Sequence, residues 1–221
     1  MNSAPGKFIV LDGVEGSGKS TQANLLVSAL LDRGLTPLYT REPGGTPVGL
    51  RLRHLLLNEE VEISPTTEAF LFCADRADHL DRVIVPSLRE GRWVICDRFS
   101  SSTYAYQVCA GRMDADLFRS LDALARSVLR QVPGREDSAG QPDLTVILDL
   151  DPENGLSRYR QQPALFVEDK IEARPVAYHR QVRAGFLAYA QQLGPAAVVL
   201  DAGRPVEEVH QDLLRVLGLS D

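Results

Sequence analysis

The sequence predicts an α/β fold in which a five-stranded parallel sheet is flanked by helices. Apolar runs rich in β-branched residues alternate with stretches of helical period. Most of these runs lack strict polar alternation, as expected of strands that are covered on both faces. Hydrophobic residues make up 44% of the chain and charged residues 24%, which is typical of a globular protein. Because 221 residues suit one such domain, we expect a single domain over residues 1–221.

The expected elements follow one another from the N-terminus. Five runs are predicted to be strands, at residues 7–12, 36–40, 92–97, 144–150 and 196–201. Helices are predicted at residues 21–33, 64–91, 114–130, 176–192 and 205–217. Gly34 is placed to end the first helix, and Ser64 followed by Pro65 is a typical helix start. Pro86 is expected to kink the long second helix.

Charge and composition limit the classes of partner. The formal net charge is −6, so we expect no nucleic acid polymer as a partner, since duplex binding usually needs a basic face. Lys7, Lys19 and Lys170 are the only lysines, and arginine therefore supplies nearly all the positive charge. The planar guanidinium suits bidentate contacts with phosphate.

Cysteine usage and hydropathy predict the location. The three cysteines show no paired-ligand spacing and cannot all pair with one another, which fits a reducing compartment. No window contains the roughly 18 apolar residues of a membrane span, and residues 1–6 are too few and too polar for a secretion signal. We therefore expect a soluble, cytoplasmic protein with no membrane partner.

A glycine-rich loop directly after the first strand carries the strongest chemical signal. Residues 13–20, GVEGSGKS, fit the pattern G-x-x-x-x-G-K-[ST] of a P-loop. Its backbone N–H groups cradle phosphates, its lysine reaches the terminal phosphates, and its serine hydroxyl coordinates Mg²⁺. The alternative is a glycine-rich turn with an exposed lysine. The expected ATP-binding residues are Gly13, Val14, Glu15, Gly16, Ser17, Gly18, Lys19, Ser20 and Thr21.

A second signal stands at the end of the third strand. Asp97 ends an apolar run, which suits the second carboxylate that organises Mg²⁺ in a P-loop protein. A strand-end acid can also simply cap the next turn. Arg98 is expected to point into the same cleft. A GTPase switch is not expected, because the chain has no N-K-x-D or T-K-x-D segment and its D-x-x-G match lies in a polar loop at residues 137–140.

Five segments together resemble the thymidylate kinase family. They are VLDGVEGSGKSTQ at the phosphate loop, TREPGGT at 40–46, DRFSSSTYAYQ at 97–107, PDLTVILDLDPENGL at 142–156 and EDKIEARPVAYHRQVRAGFLAYA at 168–190. They occur in family order and span nearly the whole chain. The resemblance is to a bacterial-like form and implies a P-loop NTPase-type three-layer fold with a short mobile lid. It also implies an ATP- and Mg²⁺-dependent kinase that converts dTMP to dTDP, usually as a homodimer.

The resemblance assigns roles to residues around the acceptor nucleotide. Phe72 and Arg76 are four residues apart and share a helix face, where a core phenylalanine and an acid-paired arginine would fit equally well. In the family, residues at this spacing contact thymine. The resemblance further implies that Arg41 holds the dTMP phosphate, that Pro43 shapes the pocket near the base, and that Arg98 lies between donor and acceptor phosphates.

Further roles on the acceptor side follow from the same resemblance. Residues 97–107 are called the pocket segment below, and this segment includes Ser102, Tyr106 and Gln107. Tyr106 resembles the aromatic residue that excludes a ribose 2′-hydroxyl, and Gln107 is a weaker candidate for reading the base edge. Glu15 resembles the carboxylate that accepts a hydrogen bond from the nucleotide's 3′-hydroxyl. Each side chain also fits an ordinary packing or solvent-exposed role.

The lid is expected at about residues 157–172. Some family members carry an arginine within the phosphate loop, but the matching position here is Gly16. The catalytic cation should therefore come from the lid, with Arg158 and Arg160 as candidates beside the catalytic residues Lys19, Asp97 and Arg98. Mg²⁺ is expected at Ser20 and Asp97, partly through water. Lys170 replaces the usual arginine. A kinase for another nucleotide and a catalytically silent ATP-binding module remain alternatives.

Overall fold

Five parallel strands form the centre of the protein, whose structure is a computed structural model that describes residues 6–57, 61–136, 140–161 and 174–220. The strands are β1 (Phe8–Asp12), β2 (Leu38–Arg41), β3 (Val94–Asp97), β4 (Leu144–Asp149) and β5 (Ala197–Asp201). Their spatial order is β2-β3-β1-β4-β5, and every pairing is parallel. Each expected strand is present with bounds shifted by no more than about two residues, which confirms the predicted fold class.

Helices connect the strands. They are α1 (Lys19–Asp32), α2 (Pro47–Leu57), α3 (Pro65–His79), α4 (Val85–Arg89), α5 (Ser100–Thr103), α6 (Ala115–Arg126), α7 (Pro152–Arg160), α8 (Val176–Leu193) and α9 (Val206–Val216). Two π-helical turns, Leu80–Ile84 and Tyr104–Ala110, follow α3 and α5 directly. The sequence did not predict α2, α5 and α7. None of the helices in the described part of the chain is long and apolar enough to cross a membrane.

The helix ends agree with the predicted signals. The hydroxyl of Ser64 accepts a hydrogen bond from the backbone N–H of Thr67 at 3.2 Å, and so caps α3. Gly34 follows α1 with φ of 73°, a left-handed conformation that favours glycine. The irregularity expected near Pro86 is the π-helical turn before α4, where proline has no N–H to donate to the preceding turn.

Side chains of alternate residues on β1 point into two separate cores. Ile9 and Leu11 pack into a core shared with α1, α8 and α9. Phe8 and Val10 pack on the opposite face, against a cluster that includes Leu80. The sheet is therefore covered on both faces, and the carboxyl ends of β1, β2 and β3 meet at one edge. In this register Asp97 pairs with both Leu11 and Arg41.

Candidate active site

The loop between β1 and α1 curls because of its glycines. Gly16 and Gly18 have φ of 69° and 88°, and the Ser17 N–H donates to the carbonyl of Val14 at 3.3 Å. A Cβ atom on Gly16 would lie only 2.1 Å from the carbonyl oxygen of Gly155 in α7. This close approach excludes an arginine at position 16, and the left-handed backbone conformation also favours glycine there.

Lys19 lies at the start of α1 and folds back over the loop. Its Nζ donates to the carbonyls of Gly13 and Val14 at 3.0 and 2.9 Å. The side chain is buried, with 8% exposed. Burial lowers the pKa of Lys19 to about 8, and the nearby Arg98 guanidinium contributes in the same direction.

Ser20 and Asp97 meet at the edge of the sheet, as the sequence predicted. The Ser20 hydroxyl donates to Asp97 Oδ2 at 2.9 Å, and the Tyr39 hydroxyl donates to the same oxygen at 3.2 Å. A hydroxyl and a carboxylate side by side are the oxygen ligands that Mg²⁺ prefers. The two side chains therefore fit a magnesium site next to the phosphate loop.

Arg98 follows β3 in a left-handed conformation, with φ of 71°, which is uncommon for a residue with a side chain. Its guanidinium donates to Ser102 Oγ at 3.1 Å, to the Tyr106 hydroxyl at 3.4 Å and to Glu15 Oε1 at 3.1 Å. The Tyr106 hydroxyl donates to the same Glu15 oxygen at 2.5 Å. Arg98 thus joins the phosphate loop to the pocket segment.

Glu15 is an ionised, buried carboxylate. Burial alone would raise the pKa of Glu15, but His179, Arg98 and Lys19 together hold it below its ordinary value. The second oxygen, Oε2, has no hydrogen-bond partner among the described residues and lies 3.6 Å from Nδ1 of His179. The imidazole is 1% exposed. No pattern in the sequence predicted this contact, because α8 is distant from the phosphate loop in the chain.

Asp12 is a site residue that the sequence analysis missed. It is fully buried at the end of β1 and accepts hydrogen bonds from the hydroxyls of Ser101 and Ser102 at 2.6 and 2.8 Å. It also accepts from the backbone N–H groups of Gly13 and Phe99 at 3.0 and 3.3 Å. Burial raises the pKa of Asp12 despite these bonds and the nearby Arg98. Asp12 ends an apolar strand, as Asp97 does. The pattern that predicted Asp97 could therefore also have predicted Asp12.

Arg76 is at the centre of a buried network. It is 1% exposed, and its guanidinium donates to Glu42 at 3.0 Å, to Asp122 at 2.9 Å and to Thr103 at 3.2 Å. The guanidinium carbon also lies 4.7 Å from the centre of the Phe99 ring. Arg76 is therefore paired with acidic residues, which is one of the two interpretations that the sequence left open for this arginine. Glu42 and Asp122 raise the pKa of Arg76, although burial opposes them.

His79, the last residue of α3, extends this network to residues at the end of β2. Its Nδ1 lies 3.1 Å from Glu42 Oε1 and its Nε2 lies 2.7 Å from the Thr40 hydroxyl. Glu42, His79 and Cys96 offer ligand atoms within 4.8 Å of one another. Both imidazole nitrogens are already engaged, and Glu42 is paired with Arg76, so we assign no metal to this group.

The other predicted acceptor residues differ in their burial. Arg41 is exposed at the end of β2, Pro43 is buried after a cis peptide bond, and Phe72 is half-buried on α3. The Gln107 side chain donates to Glu68 at 3.0 Å, while its carbonyl oxygen is buried and has no partner in the described part of the chain.

The predicted lid is described only at its start. Residues 157–160 continue helix α7, in which Arg158 and Arg160 are exposed. Arg158 donates to the carbonyl of Ala202 at 2.9 Å. Residues 162–173, which include Lys170, lie outside the described residues. The lid and the identity of its catalytic cation therefore stay predictions.

The sheet order, the phosphate loop and the Ser20–Asp97 pair together define a P-loop NTPase-type α/β protein. Comparison with known proteins narrows this class. The family model described as thymidylate kinase matches residues 11–213. Curated thymidylate kinases from Chlamydia caviae and Symbiobacterium thermophilum are 43% and 40% identical, covering 91% and 95% of this chain and 92% of each relative.

A solved structure agrees with the sequence relatives. The crystal structure of thymidylate kinase from Ehrlichia chaffeensis superposes with a TM-score of 0.74 at 29% identity, covering 97% of this chain and 100% of that one. The chain belongs to the thymidylate kinase family. Members of the family are ATP-dependent nucleoside monophosphate kinases, which are phosphotransferases.

Proposed function

We propose that this protein binds ATP in the loop at residues 13–21 and dTMP in the adjoining cleft, and that it transfers the γ-phosphoryl group to give dTDP and ADP. The position of Arg98 carries the proposal. One guanidinium contacts Glu15 in the phosphate loop and both Ser102 and Tyr106 in the pocket segment. A cation in this place neutralises the charge of two phosphates that would otherwise repel each other.

Buried polar atoms on both sides of Arg98 support binding of a polar ligand. Three buried oxygen atoms have no hydrogen-bond partner among the described residues. One lies on the proposed donor side, Ser17 Oγ, and two lie on the proposed acceptor side, Glu15 Oε2 and Gln107 Oε1. Buried polar groups are rarely left unpaired in folded proteins. A nucleotide that brings hydroxyls, amides and phosphates into the cleft would supply the missing partners.

The reaction we propose is a direct in-line transfer without a covalent enzyme intermediate. A phosphate oxygen of dTMP attacks the γ-phosphorus, and ADP leaves from the opposite side. Lys19 and the loop N–H groups hold the donor phosphates, Arg41 and Arg98 hold the acceptor phosphate, and closure of the lid excludes water. Ser20 and Asp97 would hold Mg²⁺, partly through water, and the ion supplies further charge neutralisation at the donor phosphates.

The base and the sugar of dTMP are proposed to bind on the acceptor side of the cleft. Phe72 and Arg76 are proposed to contact thymine, since each terminal nitrogen of the guanidinium carries two N–H groups and need not be saturated by its protein bonds. Pro43 and Gln107 border the base. The ring of Tyr106, which packs edge-on against Phe186 at 5.9 Å, is proposed to exclude a 2′-hydroxyl.

Release of ADP in the presence of candidate acceptors tests this function. We expect dTMP to stimulate ADP release strongly, and dUMP and thymidine to do so at least tenfold less, because they lack the 5-methyl group and the acceptor phosphate, respectively. The K19M variant is the negative control for the donor site. ATP binding without any ADP release that depends on dTMP would contradict the proposal.

We also propose that the protein is a homodimer. Helix α3 packs against both α2 and α6, and all three helices carry large apolar side chains that are exposed. These side chains are Val48, Leu50, Leu55, Phe70, Leu117 and Leu124. We propose that some of these side chains form one apolar patch, since exposed apolar side chains on neighbouring helices are typical of a surface that another protein covers. The cytoplasmic location stays a prediction from the sequence.

Light scattering in solution tests the dimer. We expect a molar mass twice the 24.3 kDa of one chain. The L124E variant, which places a charge where the side chain is 73% exposed on α6, should reduce the mass to that of a monomer. L31E on α1, where the side chain is 56% exposed outside this patch, is the matched control and should leave the mass unchanged.

A further inference from the structure

His179 is a buried polar residue whose side chain has no hydrogen-bond partner among the described residues. It lies on α8, is 1% exposed, and neither ring nitrogen makes a hydrogen bond there. Leaving a buried imidazole unpaired is costly, and an apolar side chain of similar size would avoid that cost. The position of its ring nitrogens therefore indicates what the residue does.

Within the described ranges, the acidic group that lies within 4 Å of His179 is the carboxylate of Glu15. His179 Nδ1 lies 3.6 Å from Glu15 Oε2, which is itself buried and has no hydrogen-bond partner within the described ranges. The other oxygen, Oε1, accepts hydrogen bonds from both Arg98 and Tyr106. Arg98 and Tyr106 are at hydrogen-bonding distance from Oε1. His179 is the group that could donate to Oε2, but at 3.6 Å it is too far away to form a hydrogen bond. A displacement of less than about 1 Å would bring the imidazole into hydrogen-bonding distance of Oε2.

We propose that His179 is a positioning residue that donates from Nδ1 to Glu15 Oε2 and so orients this carboxylate toward the 3′-hydroxyl of the acceptor nucleotide. With Arg98 and Tyr106 holding Oε1, the carboxylate would have one fixed rotamer when dTMP arrives. A fixed acceptor favours an acceptor nucleotide that carries a 3′-hydroxyl over one that lacks it. The proposal rests on the proposed function and on the role that the family resemblance implies for Glu15, which is to accept a hydrogen bond from the 3′-hydroxyl.

The neighbouring structure supports a fixed orientation for the imidazole. The ring of Tyr178 packs edge-on against the His179 ring at 5.6 Å. Helix α8 packs against the π-helical turn Tyr104–Ala110, which carries Tyr106. His179 and Tyr106 therefore reach Glu15 from elements that are packed together, and α8 links the region after the lid to the acceptor pocket.

Steady-state kinetics with dTMP and with 3′-deoxythymidine monophosphate test the proposal. In H179L we expect KM for dTMP to rise about tenfold, with kcat within about twofold and KM for ATP unchanged. KM for the 3′-deoxy analogue should stay the same, so the preference for dTMP falls about tenfold. H179N keeps a donor close to the position of Nδ1 and should restore the preference, whereas H179Q places its donor near Nε2 and should not.

One control variant, E15Q, separates this proposal from the role of Glu15. E15Q should lose the preference for dTMP over the 3′-deoxy analogue. If E15Q loses it and H179L keeps it, the proposal for His179 is wrong while the role of Glu15 stands. If E15Q keeps the preference, both assignments are wrong.

A spectroscopic measurement on the wild-type protein does not depend on whether the variants fold. Nitrogen-15 NMR of the imidazole should show a proton on Nδ1 of His179, and the resonance should shift in E15Q. A neutral ring with its only proton on Nε2 would overturn the proposal.

Discussion

The sides of the cleft that we propose for the donor and for the acceptor are built in different ways. The donor side is a continuous loop, residues 13–20, in which the backbone and Lys19 provide most of the contacts. The acceptor side depends on Arg76, whose guanidinium is held by acids 34 and 46 residues away in the chain. The phosphate loop of the donor side is therefore built locally, whereas the acceptor side exists only when the whole sheet and its helices are assembled.

Arg98 contacts both sides, so its removal should have the largest effect. We expect R98A to lower kcat by about a thousandfold, since the role we propose for the arginine is to stabilise charge that develops during phosphoryl transfer. Single-turnover ADP formation measures this loss. R98G is the matched control for the backbone, because glycine tolerates the φ of 71° at this position and should be equally slow. A rate near that of the wild type in either variant would show that the assigned role is wrong.

Loss of Glu42 should damage the acceptor side through its effect on folding. In E42Q the buried guanidinium of Arg76 loses a charged partner, and we expect the free energy of unfolding to fall by about 3 kcal/mol. Denaturant unfolding measures it. E207Q, at an exposed position on α9, should change stability by less than about 0.5 kcal/mol. Equal effects of the two variants would contradict the view that the acceptor side depends on this network.

A substitution at Gly155 tests whether the phosphate loop depends on helix α7. A Cβ atom at this position would lie 2.3 Å from the carbonyl oxygen of Glu15, so G155A should push the phosphate loop away from α7. We expect KM for ATP to rise about tenfold, a cost of about 1.4 kcal/mol in binding. N154A, at an exposed neighbour on the same helix, is the control. An unchanged KM in G155A would show that the loop adjusts without help from α7.

The smallest expected effect is a pH dependence confined to the donor side. Because the pKa of Lys19 is lowered to about 8, its ammonium is charged at pH 7 and mostly neutral at pH 9. KM for ATP should therefore rise by up to about tenfold between these pH values. K19R remains charged over this range and should bind ATP with a KM that does not change. A wild-type KM that is flat up to pH 9 would contradict the lowered pKa.

Prediction from the sequence succeeded where neighbouring residues alone decide the structure. The loop at residues 13–20, the helix start at Ser64 and the strand runs are set by glycine conformation, capping and hydropathy, which involve only a few adjacent residues. The same logic found Asp97, and it could have found Asp12, which also ends an apolar strand. The helices α2, α5 and α7 were missed, and α5 is only four residues long.

The sequence by itself thus determined the class of fold, the phosphate loop and the family, because these depend on local patterns and on the order of motifs. Only the tertiary structure decided which buried charges meet. It paired Arg76 with Glu42 and Asp122, and it placed His179 against Glu15. Partners far apart in the chain leave no periodicity that a reader of the sequence can detect. Their meeting is fixed by the packing of helices on both faces of the sheet.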